Sequence, residues 1–424
     1  MINYRQAQEI ILQQARSFGR ETVSLEQAFG RVLTGTILAD RDYPPFPRAT
    51  MDGYALRYED LEQGIRRFRV VDTIFAGSLP ARSIGAAECY RIMTGAAVPV
   101  TGGADILIRR ENIQEGEDFV QLLPKLADPL PAGTLPAPPD PSFPWRPYQN
   151  IARQGEDLRA NTVVIDRPCR CEPAIIGLLA TLGHTNVTVE RLPRIGLLTT
   201  GNEVVPADAP AGSVQIRNSN RWSLAAGLKK NGIDLAEAAH APDDPLLLRT
   251  EIERLLGWDI LIVCGGVSAG DADYVPGALE SAGVKKLFHK IAMRPGKPVW
   301  VGVAPGAGLP GPSAQGGRVV FALPGNPFSC LVNLVLLIQP FLQACYGLPV
   351  TQPLGLPMAT TRKKRSPLDE FFPAYLYGSP AGVSPTPLNG SGDIRLGMEA
   401  NMLALHPADS ADLEVGEPVL CYPL

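Results

Sequence analysis

The chain has 424 residues, of which 45% are hydrophobic and 19% are charged, as in an ordinary soluble globular protein. This length is too great for one hydrophobic core, so we expect two to four domains. The 39 basic and 43 acidic residues leave a net charge of −4. That balance excludes the broad cationic surface of a protein that binds nucleic acid or a membrane. Any anion must therefore be held by a local cluster of cations.

The amino terminus and the cysteines predict a cytoplasmic protein. The first residues do not form a basic segment followed by an apolar run, as a signal peptide would. The most apolar run, 331–342, contains Asn333 and Gln339 and is too short to span a bilayer. The seven cysteines are odd in number and dispersed, which is typical of reduced thiols. The close pair Cys169 and Cys171 is interpreted as packing, because no second cluster joins it to complete a metal site.

The first segment, 1–43, predicts helices. Apolar residues recur at helical spacing from Tyr4 to Ala15, and a second helical pattern covers 25–33. A further helix is predicted over 173–182, ending near Gly183.

The next segment, from residue 44 to about 150, predicts strands. Short β-favouring runs alternate with Gly, Pro and acidic residues; they are Phe68–Val71, Tyr90–Met93, Ile106–Arg109 and Phe119–Leu122. The proline-rich stretch 124–147 cannot sustain a sheet interior, so we expect it to be an extended surface loop.

From about 191 to 346 the pattern alternates between strand and helix. The predicted strands are 195–198, 259–263 and 319–323. Helices are predicted over 220–230 and 326–345. A third helix is predicted to begin at Asp244, with Pro245 in its first position. This alternation indicates a parallel sheet that is covered by helices on both faces. The last segment, 347–424, lacks helical periodicity and has short strands between Pro and Gly, which favours a small β-barrel or sandwich.

Ligands of open parallel sheets bind beyond the carboxyl ends of the strands. Glu203 and Asp273 follow two of the predicted strands, and Asp243 precedes a helix at the same edge. Carboxylates of this kind suit magnesium, which prefers oxygen ligands shared with substrate phosphates. The alternative interpretation is that Glu203 is a solvated loop acid, and that Asp243 or Asp244 caps a helix.

Three cations and several small residues point to anion binding at the same edge. Lys290, Arg294 and Lys297 can face one pocket if the turn at Pro295–Gly296 folds back. The glycine-rich turns at 265–266 and 324–325 let backbone amides approach an anion. Such turns and cations also occur as plain loops and surface charges, and neither a phosphate loop nor a dinucleotide fingerprint is present. The combination fits a phosphate ester and a second oxyanion.

In the strand-rich segment, Asp52–Gly53 and Thr94–Gly95 are most simply interpreted as a hairpin turn and the start of a loop. Their importance changes when the whole chain is considered. Eight short boxes in order resemble the molybdopterin molybdenumtransferases, the family of the bacterial MoeA proteins and the gephyrin E-domain. The boxes are 51–55, 91–95, 155–157, 200–203, 265–268, 294–298, 323–327 and 390–393.

The resemblance implies an α/β multidomain fold. It assigns a helical linking domain split into 1–43 and 151–188, an inserted β domain at 44–150, a three-layer α/β molybdopterin-binding domain with a parallel-type sheet at 189–346, and a C-terminal β-barrel domain at 347–424. It also implies a homodimer whose active cleft lies between the α/β domain of one subunit and the β domain of its partner. The implied reaction takes adenylylated molybdopterin and molybdate, releases AMP, and needs a divalent cation such as Mg²⁺.

The resemblance also implies the site residues. The implied catalytic residues are Asp52, Thr94, Asp157, Glu203, Asp243 and Asp273, of which the last three would hold the metal. The implied substrate-binding residues are Lys290, Arg294, Pro324, Pro327 and Ser391, to which we add Lys297 because of its charge. Molybdopterin adenylyltransferase and molybdoenzyme maturation factors are possible partners. Three features depart from the family pattern. Ala152 stands where the family usually has Arg, which removes one of the family's cations unless Arg153 substitutes for it. Arg294 stands where the family often has Lys. The proline-rich stretch 124–147 and the Gly- and Pro-rich stretch 304–317 look like local elaborations of the chain.

Two other functions are weighed against this one. The preceding adenylyltransferase shares versions of the 200–203 and 265–268 boxes, but it lacks the 51–55 box and the β-barrel. A non-catalytic scaffold, as the gephyrin E-domain also is, would not need the acids and cations of the predicted site.

Overall fold

A computed structural model describes residues 1–123, 145–268, 273–305, 317–378 and 381–424. Three parts of the predicted pattern therefore lie outside the described residues: most of the proline-rich stretch 124–147, positions 269–272 of the glycine-rich loop, and most of 304–317. The chain divides into two compact units. The first comprises residues 1–34, 168–180 and 184–424, and the second comprises residues 35–167 and 181–183.

The first unit contains a six-stranded mixed sheet. Its strands, in spatial order, are Leu235–Ala241, Ile195–Thr200, Ile260–Cys264, Arg318–Leu323, Trp300–Ala304 and Lys285–His289. The first four run parallel, and the last two are antiparallel to their neighbours. The strands predicted at 195–198, 259–263 and 319–323 are confirmed.

Helices cover both faces of this sheet, which confirms the three-layer prediction. Ser219–Lys229 and the long helix after Asn326 pack against Ile195, Leu197 and the side chains that share their face. Pro245–Leu255 and Val275–Ser281 pack against the alternate side chains, such as Leu198 and Leu261. Each inner strand is therefore buried on both faces.

Local chemistry sets the beginnings and irregularities of these helices. Asp244 caps Pro245–Leu255 as predicted, because its carboxylate accepts from the amides of Leu246 and Leu247 at 3.0 and 2.9 Å. The predicted helix 326–345 is confirmed as Pro327–Cys345, although it contains a π-helical turn, Leu334–Ile338.

This long helix lacks one backbone hydrogen bond, at Pro340. Pro340 has no N–H to donate to the carbonyl of Leu336, and that carbonyl instead accepts from Nε2 of Gln8 at 2.7 Å. The helix is long and apolar enough to cross a membrane, but 78% of its most apolar stretch is buried inside the protein. Burial of this kind is typical of a core helix.

The linking segments contain strands as well as helices. The helices Tyr4–Leu12 and Pro173–Thr181 are confirmed. The helix predicted over 25–33 is wrong: a 3₁₀ turn, Leu25–Gln27, ends before Gly30, whose left-handed φ of 74° is incompatible with a continuing helix. A four-stranded sheet instead has the spatial order Arg20–Ser24, Asn186–Glu190, Val32–Leu33 and Cys169–Arg170.

The carboxyl-terminal part of the first unit forms the predicted β-barrel. Its strands are Leu354–Pro357, Asp369–Gly378, Ala381–Pro385, Met402–His406 and Pro418–Pro423. The bridge between Met358 and Val383 closes the ring. The short strand Met293–Arg294, from the α/β part, joins the barrel by pairing with Asp369 and Glu370.

The second unit is built on a six-stranded sheet. Its strands, in spatial order, are Ile106–Arg109, Gly53–Leu56, Glu88–Ile92, Arg67–Ile74, Phe119–Leu122 and Ile113–Glu115. The four predicted strands are confirmed. The hairpin at Asp52–Gly53 is wrong, because Gly53 begins a strand whose two neighbours are distant in sequence. A Cβ on Gly53 would lie 2.1 Å from the carbonyl oxygen of Ile108, so only glycine fits there.

The remaining short elements are a helix, three strand pairs and three 3₁₀ turns. The helix is Tyr58–Glu62, and the strand pairs are Arg48–Ala49 with Ile151–Ala152, Ile37–Leu38 with Val163–Ile165, and Val204–Val205 with Ile216–Arg217. The 3₁₀ turns are Val100–Gly102, Arg110–Asn112 and Ile394–Gly397. The five-part domain division of the chain stays a prediction.

Candidate functional site

A cavity of about 410 Å³ lies at the carboxyl ends of the parallel strands. We call it the strand-end pocket. Among the residues that line it are Gly201, Glu203, Asp243, Gly265, Gly266, Val267, Ser268, Asp273, Pro324 and Pro327. The structure thus brings together the three acids and the two prolines that the sequence analysis selected.

Close packing and hydrogen bonds position Glu203 and Asp243 on the loops that follow two neighbouring strands. Gly201 has a φ of 131°, and a Cβ there would lie 2.7 Å from Oε2 of Glu203, so glycine leaves the space that the carboxylate occupies. The Asn202 amide donates to Oδ2 of Asp243 at 3.3 Å, and the Asp243 amide donates to Oδ1 of Asn202 at 3.2 Å. These reciprocal bonds tie together the loops that follow two neighbouring strands.

Close packing also explains why glycine occupies both positions of the turn at 265–266. Gly265 and Gly266 have φ values of 108° and 64°, and a Cβ on Gly265 would lie 2.7 Å from Oγ1 of Thr200. Nε2–H of His289 donates to the carbonyl oxygen of Val267 at 3.2 Å. The backbone of this turn therefore lines the cavity without intervening side chains, which suits the approach of an anion.

The sequence analysis missed two asparagines in the same wall. Asn218 caps helix Ser219–Lys229 and donates from Nδ2 to Oγ1 of Thr199 at 2.8 Å. Asn220 donates from Nδ2 to the carbonyl oxygen of Gly325 at 2.6 Å. The position of Asn218 two residues before the predicted helix 220–230 was the available signal for its capping role.

A second cavity, of about 640 Å³, lies beside the β-barrel. We call it the cationic pocket, because its lining includes five basic side chains: Arg294, Lys297, Arg362, Lys363 and Arg365. Glu370 and Ser391 also line it, and Oγ of Ser391 accepts a hydrogen bond from Nδ2 of Asn326 at 2.9 Å. Pro298, Pro324 and Asn326 line both cavities, which are therefore neighbours.

The sequence analysis selected Arg294, Lys297 and Ser391 in this pocket but missed the cations from 362–365. Four consecutive basic residues there were a visible signal, although such runs are more often solvated.

The expectation that Lys290 shares a pocket with Arg294 and Lys297 is not met. Lys290 lines neither cavity. It follows strand Lys285–His289 with a left-handed φ of 73°, and its amide donates to the carbonyl oxygen of Val299 at 2.9 Å. Its role in substrate binding stays a prediction.

The metal site also stays a prediction. Among the residues that the structure describes, no three His, Cys, Asp or Glu side chains are grouped closely enough to hold a metal ion. Glu203, Asp243 and Asp273 face one cavity and offer the oxygen ligands that Mg²⁺ prefers. They therefore fit a cation that takes part of its coordination from substrate phosphates and water.

The second unit carries the predicted pair Asp52 and Thr94. Oδ1 of Asp52 accepts from Oγ1 of Thr94 at 2.6 Å and from its amide at 2.7 Å. The hydroxyl bond, the amide bond and the charge of Arg110 hold the pKa of Asp52 below its usual value. Asp52 is therefore an exposed carboxylate that stays ionised.

The same unit contains Asp157 and the position that departs from the family pattern. Asp157 is exposed, and its amide donates to the carbonyl oxygen of Tyr43 at 2.9 Å. Ala152 is buried in a strand, whereas the guanidinium of Arg153 stacks over the ring of Tyr148 at 4.3 Å. That Arg153 supplies the missing cation stays a prediction.

Comparison with known proteins agrees with these features. Residues 2–183 match the family model of the MoeA N-terminal region, domains I and II, and residues 196–344 match that of a probable molybdopterin binding domain. The molybdopterin molybdenumtransferase of Synechococcus elongatus is 33% identical over 433 residues, which cover 99% of this chain and 98% of that protein. That of Synechocystis sp. is 30% identical over 429 residues, which cover 100% and 99%.

A solved structure supports the same assignment at the level of the fold. The crystal structure of the molybdopterin biosynthesis MoeA protein from Pyrococcus horikoshii OT3 has a TM-score of 0.80 to this chain. It is 24% identical and covers 100% of both chains. The chain therefore belongs to the molybdopterin molybdenumtransferases, a family of transferases of molybdenum cofactor biosynthesis.

Proposed function

We propose that this chain inserts molybdenum from molybdate into adenylylated molybdopterin and releases AMP. Beyond the family membership, one observation carries the proposal: a cavity with three carboxylates and glycine-rich turns adjoins a cavity with five cations. The two substrates present a phosphate ester and a separate oxyanion, and each cavity has the chemistry to bind one of them.

The strand-end pocket is assigned to the substrate phosphates. The glycine-rich turn at 265–266 offers backbone amides to phosphate oxygens. Glu203, Asp243 and Asp273 would hold Mg²⁺ between the protein and these oxygens. When bound there, Mg²⁺ supplies Lewis-acid chemistry that makes phosphorus more electrophilic and stabilises the departing phosphate.

The cationic pocket is assigned to molybdate. Arg294 and Lys297 would donate charge-assisted hydrogen bonds to the oxyanion. Ser391 would add a neutral donor, since its hydroxyl oxygen already accepts from Asn326 while its proton is free to be donated. The wall shared by both cavities keeps the two substrates next to each other, as transfer between them requires.

A reconstitution assay tests the proposed reaction. Purified protein would be incubated with adenylylated molybdopterin, molybdate and magnesium, and AMP release and activation of an apo-molybdoenzyme would be measured. We expect both products with the wild type and strong impairment in Asp52→Ala and Asp273→Ala. Absence of AMP from the wild type rejects the reaction, whereas unimpaired variants reject the site residues.

We further propose a cytoplasmic homodimer in which Asp52, Thr94 and Asp157 of one copy serve the cavities of the other. The resemblance to the family supports this arrangement. Mixing the inactive Asp52→Ala and Asp273→Ala proteins under subunit exchange tests it. Heterodimers would regain one intact site, so about a quarter of wild-type activity is expected from random pairing. No recovery despite proven exchange contradicts the shared site.

A further inference from the structure

One arginine of the cationic pocket, Arg362, is held by the barrel on several sides. Its amide donates to the carbonyl oxygen of Leu413 at 2.8 Å, and the Leu413 amide donates to the carbonyl oxygen of Arg362 at 2.9 Å. Only 13% of its side chain is exposed. Arg362 is therefore fixed at the pocket wall, unlike a long cation on a free surface.

The guanidinium of Arg362 has three partners. Nη2 donates to Oε2 of Glu370 at 2.8 Å, and Nη1 donates to Nδ1 of His406. The group also stacks over the ring of Phe372 at 4.2 Å. A guanidinium carries five N–H donors in one plane, and Glu370 and His406 engage two of them. The other three remain for a ligand of the cavity that Arg362 lines.

The two hydrogen-bonding partners are themselves built into the sheet. Glu370 and His406 lie directly opposite each other on paired strands of the barrel. They are 3% and 0% exposed, and burial of such groups is costly unless they are hydrogen-bonded. Glu370 also accepts from the Arg365 amide at 2.9 Å through Oε1.

The hydrogen bonds of His406 determine its protonation. Nε2 lies 2.6 Å from the carbonyl oxygen of Ala411, which can only accept, so Nε2 carries the proton. Nδ1 faces an arginine N–H, so it must accept and cannot carry a second proton. Burial, followed by the charges of Arg362 and Lys364, lowers the pKa of His406, while Ala411 and Glu370 oppose that change.

We propose that Arg362 is a preorganised oxyanion-binding residue, and that Glu370 and His406 are positioning residues that hold its guanidinium toward the cationic pocket. This inference rests on the proposed assignment of molybdate to that pocket. A planar fork matches the oxygen spacing of a tetrahedral oxyanion, which a lysine ammonium does not. Because the barrel fixes the rotamer before the ligand arrives, binding loses less conformational entropy.

Calorimetric titration of the purified full-length protein with molybdate, and separately with sulfate and with phosphate, tests the inference. Arg362→Ala is expected to weaken binding by about 10- to 100-fold, because charge-assisted hydrogen bonds are lost. Arg362→Lys keeps the charge without the fork, and we expect binding about tenfold weaker than in the wild type.

Two substitutions at His406 separate positioning from mere packing. His406→Leu removes the acceptor for Arg362 and is expected to weaken molybdate binding about tenfold. His406→Asn places an acceptor oxygen near the position of Nδ1 and is expected to bind within about threefold of the wild type. The control is Arg249→Ala, which removes an exposed cation paired with Glu253 on a helix outside both cavities. It should bind like the wild type.

The outcomes separate this inference from the proposed function. If the wild type binds molybdate but Arg362→Ala and Arg362→Lys bind it equally well, the inference is overturned and the function stands. If His406→Asn is as weak as His406→Leu while both remain folded by circular dichroism, the positioning role of His406 is rejected. If sulfate or phosphate binds through Arg362 but molybdate does not, the inference stands and the substrate assignment fails. If none of the three anions binds, both fail.

Discussion

The strand-end pocket and the cationic pocket differ in how the chain builds them. The turns that carry the acids of the strand-end pocket each follow a parallel strand of the six-stranded sheet, so these parts are short and local. The cationic pocket combines the turn at 294–298 with the basic run 362–365 and Ser391. These parts meet because Met293–Arg294 pairs with a barrel strand more than 70 residues away.

The two pockets show which kinds of binding site can be predicted from a short sequence motif. Backbone amides and acids at strand ends need only a strand and a turn, and both have sequence signatures. A cluster of cations needs distant segments to converge, and no local pattern specifies that convergence. The first pocket should therefore be sensitive to single acids, whereas the second should be sensitive to the packing beneath its loop.

The largest effect is expected at Asp243. Asp243→Ala should lower the rate of AMP release by roughly 100-fold, because it removes a carboxylate from the strand-end pocket and its proposed metal. The neighbouring Asp244→Ala is a matched control, since Asp244 caps a helix. It should lower the free energy of unfolding by about 1 kcal/mol and leave the rate unchanged. Equal loss of rate in both variants would remove the distinction between site and cap.

Packing beneath the cationic pocket is tested at Gly296. This residue has a φ of 92°, and a Cβ would lie 2.6 Å from Nδ2 of the buried Asn333. Gly296→Ala should lower the free energy of unfolding by about 1–3 kcal/mol. It should also weaken molybdate binding, because the loop that carries Arg294 and Lys297 must shift.

Gly277→Ala is the control for Gly296→Ala, because Gly277 is helical and a Cβ there meets nothing within 4 Å. It should stabilise the protein by about 0.5–1 kcal/mol. Urea denaturation and calorimetry with molybdate measure both variants. Unchanged molybdate affinity in Gly296→Ala would contradict the expected sensitivity of this pocket to packing.

A smaller effect is expected in the second unit, at Thr94. Thr94→Val removes the hydroxyl bond that contributes most to the low pKa of Asp52, so that pKa should rise toward its usual value. A lowered carboxylate pKa stabilises the fold at higher pH, and this contribution is lost as the pH falls through the folded-state pKa. In the variant, this contribution should be smaller, and its loss should be complete at a higher pH than in the wild type. NMR titration of the Asp52 carboxyl carbon measures the shift.

Thr50→Val provides the comparison for Thr94→Val, because the hydroxyl of Thr50 donates to the carbonyl oxygen of Asn150 at 3.0 Å and does not contact Asp52. The pKa of Asp52 should be the same in this variant as in the wild type. A shift of similar size in both variants would mean that general loosening, and not the Thr94 bond, changes the titration.

The smallest effect is a pH dependence of stability at His406. Its pKa is lower in the folded protein than its ordinary value of 6.5, chiefly because of burial. The unfolded chain therefore takes up the proton first, and stability is lost as the pH falls below 6.5 toward the folded-state pKa. His406→Asn lacks this titration. Urea denaturation on either side of this range should show a smaller decline for the variant than for the wild type, and equal declines would contradict the neutral assignment.

Several elements were predictable because their causes are local. The strands Ile106–Arg109 and Phe119–Leu122 have the predicted bounds, and Asp244 with Pro245 begins its helix as predicted. The acids Glu203, Asp243 and Asp273 were predicted to meet because carboxyl ends of parallel strands share one edge of a sheet. The prediction failed at Asp52–Gly53, where the need for glycine comes from the carbonyl of Ile108 on another strand.

Periodicity, caps and turns depend on near neighbours, so the amino-acid pattern alone predicted the layered α/β part, the β-rich last segment and the acids of the strand-end pocket. The eight ordered boxes identified the family and, through it, the barrel. The folded structure was needed to show that Arg362 joins Arg294 and Lys297. It was also needed to show that Lys290 lines neither cavity and that His406 and Glu370 hold the guanidinium of Arg362. Charges and hydrogen bonds act over a few ångströms in space. Which charges come that close depends on strand pairing between distant segments.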